Sequence, residues 1–114
     1  MIKGSFKRTG SGRIVSFELT GHAEAGPYGS DVVCAAVSAL ATSTVNGIDA
    51  LAGFEPIVEV DDVEGGYLYV EMLTTVNQEQ KNIAQILLEN LLLGLQSIEN
   101  ENTEFIQIKT ITEK

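Results

Sequence analysis

G-H-A-E-A-G-P-Y-G-S-D-V-V-C-A-A-V-S-A-L, residues Gly21 to Leu40, is where the chain changes its hydrophobic period, and that change decides the fold. Gly21 to Ser30 holds three glycines and a proline, a composition that extends neither a strand nor a helix but takes unusual dihedrals. From Asp31 the pattern turns Ala-rich, with Val33, Val37, Leu40, Thr44, Ile48 and Leu51 recurring at helical spacing until Gly53 supplies a stop. The spacing predicts a first helix from Asp31 to about Ala52, entered through a glycine-rich loop.

On the N-terminal side, Ile2 to Arg8 and Arg13 to Thr20 flank Thr9-Gly10-Ser11-Gly12 and read as a β-hairpin. On the C-terminal side, Pro56 to Asp62 alternates as PIVEVDD, Glu64-Gly65-Gly66 makes a tight turn, and Tyr67 to Leu73 returns as a second hairpin. Gln78 to about Glu99 then carries Ile83, Ile86, Leu87, Leu91, Leu95 and Ile98 on one face, with Leu88, Leu92 and Leu93 widening it. Glu104 to Thr112 alternates again and closes the order ββαββαβ. The expected fold is an α+β two-layer sandwich, a mostly antiparallel five-stranded sheet with two helices, in one domain spanning residues 1–114.

The chain has 114 residues, 44% of them apolar, which suffices for one core and leaves no room for a second domain. A formal net charge of −9 argues against direct nucleic-acid binding, which needs clustered Lys and Arg, and suits either a basic partner or a plain solubility surface. A lone cysteine cannot staple the fold, and MIKGSFKRTG lacks the apolar core of a secretory signal, so a cytoplasmic protein is expected. The apolar stretch Ile83 to Leu95 is broken by Glu89 and Asn90 and falls short of the roughly 20 residues a bilayer needs, so no membrane role is expected. One thiol and one imidazole are too few for a closed zinc site, and neither a metal nor another cofactor is expected.

The chemistry gathers at Cys34 and His22, the one cysteine and the one histidine of the chain. If the first helix begins at Asp31 as its N-cap, Cys34 is the third helical residue, where free amides and the helix dipole favour a thiolate. The competing reading is a small buried hydrophobe among Ala35, Ala36 and Val37. His22 precedes the glycine-rich loop that returns the chain to the helix start, so twelve residues of separation are compatible with contact. Asp31 has two jobs open to it, capping the helix or orienting the imidazole. Ser38 lies one helical turn beyond Cys34 on the same stripe, placed either to bond near the sulfur or to bond the carbonyl four residues back. Amides at the helix start are candidate oxyanion donors, that of Cys34 only if Asp31 does not occupy it.

G-H-A at Gly21 to Ala23, followed by G-x-D-x-V-C-A-A-V-S from Gly29 to Ser38, resembles the Prp family of bacterial ribosomal-processing cysteine proteases. The resemblance runs nearly end to end, through the hairpin, the His loop, the Cys helix, the Gly-Gly-Tyr turn and the apolar second helix. It implies a cysteine endopeptidase that removes a short N-terminal extension from ribosomal large-subunit protein twenty-seven, cutting after a hydrophobic, phenylalanine-containing segment. It also implies that His22 and Cys34 are catalytic, that Asp31 and Ser38 belong to the active site, and that the protein is a homodimer. His22 would take the Cys34 proton, the thiolate would attack the scissile carbonyl, and water would clear the thioester.

Gly21, Gly26, Pro27, Tyr28 and Gly29 form the candidate substrate-binding loop, a flap over the peptide with Tyr28 as an aromatic wall, or else a plain connector. The excess apolar surface of the second helix also suggests a dimer, against the alternative that Leu88 and Leu92 fill gaps inside the monomer. Two other functions fit the sequence: a noncatalytic acidic module that binds a ribosomal protein during assembly, and a thiol sensor. The sensor lacks a resolving cysteine in its own chain.

Overall fold

The computed structural model describes residues 1–22, 30–61 and 65–113, the side chains of Ser30 and Asp31 excepted. Its elements are β1 (Ile2–Arg8), β2 (Ile14–Thr20), α1 (Ser30–Gly47) continued by a π-helical turn (Ile48–Ala52), β3 (Ile57–Val60), β4 (Tyr67–Glu71), α2 (Gln78–Glu101) and β5 (Ile106–Thr112). The α+β order ββαββαβ follows the change of period in the sequence. The strands form one sheet in the order β3-β4-β2-β1-β5. β2 pairs antiparallel with β1 and β4, and β3 antiparallel with β4. β5 returns through α2 and lies parallel to β1, since a parallel neighbour needs a crossover rather than a hairpin.

Alternation in the strands puts Ile2, Phe6, Phe17, Leu19, Val70 and Ile106 into the core. Phe6 and Phe17 are cross-strand partners, and their rings stack with centroids 5.3 Å apart. From the helices come Val33, Val37 and Ala41 of α1, Ile48 and Ala52 of the π turn, and Ala84, Leu88, Leu91, Leu92 and Leu95 of α2. The stretch Val32–Ala52 is long and apolar enough to cross a membrane by length and composition, and in this fold one stripe of it is core.

Three details differ from the spacing-based expectation. The first helix does not run as a single α-helix to Ala52: the Gly53 N–H donates to the Ile48 carbonyl at 3.0 Å, and the chain leaves through a left-handed Gly53. A π turn holds more residues per turn, so Ala52 rather than Leu51 follows Ile48 into the core, and Leu51 is left exposed. Leu40 likewise gives way to Ala41 in the stripe and packs across α2, where a Cβ added to Gly94 would lie 3.0 Å from it. In α2 the buried wedge centres on Leu88, Leu91, Leu92 and Leu95, while Ile86 and Leu93 face outward. Residues two apart on a helix point about 200° away from each other, so Ile86 and Leu88 cannot share a core face.

Candidate active site

At the end of β2 the ladder to β4 runs one pair further: the Gly21 N–H donates to the Gly66 carbonyl at 2.7 Å. Gly21 has φ +83°, and a Cβ there would collide with the Met1 carbonyl oxygen, so no other residue fits without moving the N-terminal end of β1. This backbone step delivers His22 beside the turn that leads into β4. Gly66, at φ +70°, lies directly beneath the imidazole: a Cβ there would overlap Nε2 and come within 3.0 Å of Cδ2 and Cε1. Its neighbour Gly65 has nearly the same φ, +69°, but a Cβ on it would lie 3.9 Å from Cε1, an ordinary contact. The sequence marked Gly65 and Gly66 only as turn residues. Their role beneath the histidine depends on the Thr20–Tyr67 pairing, which periodicity does not give.

Cys34 is half-buried near the start of α1. The helix begins at Ser30, so Asp31 is a helical residue rather than the N-cap, and Cys34 is the fifth residue rather than the third. The expected N-terminal position is therefore corrected. An amide five residues in is past the four unpartnered donors of a helix start and joins the internal i→i−4 ladder, so the Cys34 N–H is not a free oxyanion donor. The helix dipole, concentrated in the first turn, also acts on the thiol less than expected. Ser38 is exposed one turn further along. The Asp31 side chain and the loop residues Gly26, Pro27, Tyr28 and Gly29 lie outside the described residues.

The structure brings His22, Cys34 and Ser38 to one cavity of about 300 Å³, with Gly21 and Gly66 at its margin. Its sheet side is a cross-strand row, Leu19–Leu68–Val60, and its helix side carries Val37 and Ala41. A thiol and an imidazole thus face a space whose walls are mostly apolar, which suits an apolar side chain of a peptide near a nucleophile and a base. Tyr67, at the same cavity, donates its hydroxyl to Glu18 Oε2 at 3.4 Å. Loss of solvent around the phenol, then the carboxylates of Glu18 and Glu59, push its pKa upward and keep it neutral. A second cavity of about 250 Å³, beside Phe54, Met72, Val76 and Gln85, contains neither the thiol nor the imidazole. No three metal-ligating side chains gather among the described residues.

Residues 1–107 match the family model described as cysteine protease Prp. A Bacillus subtilis protein named ribosomal processing cysteine protease Prp is 36% identical over 110 residues, covering 96% of this chain and 97% of its own. The crystal structure of SMU.848 from Streptococcus mutans superposes with a TM-score of 0.86 at 37% identity, covering 99% of this chain and 96% of that one. The essential ribosomal processing protease Prp from S. aureus, solved with a covalently linked product peptide, gives a TM-score of 0.83 at 34% identity. That match covers 96% of this chain and 99% of the other.

Proposed function

The chain belongs to the cysteine protease Prp family, and from that premise we propose that it is an endopeptidase with Cys34 as nucleophile and His22 as general base. The observation that carries this reading is that the one thiol and the one imidazole of the sequence line a single cavity. His22 takes the Sγ proton and the thiolate adds to the scissile carbonyl. The tetrahedral adduct collapses to a thioester as imidazolium protonates the departing amine, and water, deprotonated by His22, releases the acid and regenerates the thiol. Metal chemistry has no step in this scheme.

Ser38 lines the same cavity as the reacting sulfur, and the apolar row Leu19–Leu68–Val60 receives a hydrophobic side chain of the substrate. The substrate is the N-terminal extension of ribosomal large-subunit protein twenty-seven, supported by the end-to-end resemblance and by relatives named for ribosomal processing. A net charge of −9 favours a peptide followed by a lysine-rich body. A homodimer is supported by the family resemblance alone, since Leu88 and Leu92 fill the core of the monomer.

Full-length precursor incubated with the protein should lose its N-terminal extension at one junction, read by intact mass. Cys34→Ala should bind the precursor and leave it whole. Binding without processing by both proteins would instead support the noncatalytic assembly module.

A further inference from the structure

β3 is an edge strand of the sheet, and its last residue, Val60, lines the cavity. β3 pairs only with β4 among the described residues, and Ile57, Val58, Glu59 and Val60 are all exposed. The register sets which of their backbone groups are spare. The Asp61 N–H donates to the Tyr67 carbonyl at 3.4 Å, so the antiparallel ladder bonds that pair and then every second one, Glu59 with Tyr69 and Ile57 with Glu71. Val58 and Val60 therefore point their N–H and C=O groups off the sheet. The same two side chains extend the cross-strand rows of Val70 and Leu68, on the core side of the sheet, yet remain 43% and 52% exposed. An edge with open backbone groups beside uncovered valines is a template for another strand.

We propose that the free edge of β3 binds the substrate chain as a sixth strand and feeds it to Cys34. The proposal rests on the peptidase reading given above. Val60 lies both on the edge and in the cavity with Cys34 and His22, so a chain bonded to Val58 and Val60 needs only to leave the edge at the Val60 end to enter the site. Main-chain bonds would supply affinity, and alternate apolar side chains would sit over Val58 and Val60, as in β-strand addition generally. Glu55, Glu59 and Asp61, all exposed, surround the edge with negative charge that suits a lysine-bearing substrate.

Val58→Pro tests this, because it removes an outward-facing amide without touching a bond to β4. With a synthetic peptide spanning the precursor junction, Val58→Pro should raise KM about tenfold, the loss of roughly one backbone hydrogen bond, with kcat nearly unchanged. Val58→Ala keeps the amide and loses only side-chain contact, so its KM should rise less than that of Val58→Pro, and iodoacetamide should alkylate Cys34 at the parent rate in both. An unchanged KM in a folded Val58→Pro protein overturns the proposal, as does a change confined to sedimentation, which would assign the edge to a second copy of this chain. If Val58→Pro does not fold, the parent enzyme is given peptides N-methylated at successive positions. Loss of cleavage at every second position supports strand addition, and a response without alternation contradicts it. A parent enzyme that cleaves none of these peptides refutes the peptidase reading itself, and the strand with it.

Discussion

His22 rests on a glycine forty-four positions away in sequence, and this contact makes a sharp test of how the site is held. Gly65→Ala and Gly66→Ala impose the same backbone strain at φ near +70°, each costing about 1–2 kcal/mol in a thermal or denaturant melt. Only Gly66→Ala drives a methyl into the imidazole. Its kcat/KM should fall by about tenfold or more below that of Gly65→Ala, a further loss of at least about 1.4 kcal/mol in transition-state binding. Equal activities would show that His22 does not depend on this support. That a thiol and an imidazole would meet at one cavity was legible because each residue is unique in a recognisable pattern, whereas the place of Gly66 was not, since strand register creates it. The place of Cys34 was legible only to within a turn: a helix start is set by where Ser30 falls, and Ser30 and Asp31 are both able to open a helix.

Among the elements, α2 buries four leucines, and its burial pattern separates residues that composition treats alike. Leu88→Ala should destabilise the protein by about 2–5 kcal/mol, because a fully buried side chain leaves a cavity, while Ile86→Ala should stay within about 0.5 kcal/mol for the monomer. Chemical denaturation of the two variants checks this. The start of α2 is fixed by a capping box in which Asn77 Oδ1 accepts from the Gln80 N–H at 2.9 Å and Gln80 Oε1 accepts from the Asn77 N–H at 3.0 Å. The sequence placed that boundary correctly from periodicity alone, although the Asn-x-x-Gln signal explains it.

Across the layers, Arg8 grips Glu89 with two bonds of 2.6 and 2.8 Å, and the guanidinium holds the Glu89 carboxyl below its ordinary pKa of 4.5. A lowered folded pKa gives stability that is complete above the unfolded value and is lost as pH falls through the folded one. Glu89→Gln should therefore melt below the parent at pH 7 and converge with it in acid. With the Glu89 side chain 43% exposed, the gap at pH 7 should be only about 0.5 kcal/mol. The hairpins and helices were legible in the sequence, but the π turn was not, since Ile48 to Ala52 has the composition of any helix end.

For the whole molecule, the fold order followed from alternation and helical spacing. What did not follow was which end of the sheet would gather chemistry. That depends on β4 inserting beside β2, which brings the Gly65–Gly66 turn, the end of β2 and the start of α1 to one side. The net charge of −9 acts at this scale too: cleavage of a lysine-rich substrate should slow as salt rises from low ionic strength to about 0.15 M, where charges more than about 8 Å apart are screened. A rate insensitive to salt would remove charge steering from the account. The most direct measurement is the initial rate of cleavage of the junction peptide by the parent, Cys34→Ala and His22→Ala side by side. The account predicts one cut by the parent, none by Cys34→Ala, and a rate about 10²–10⁴ lower for His22→Ala, the usual worth of a positioned general base. Cleavage by Cys34→Ala at the parent's rate would contradict it.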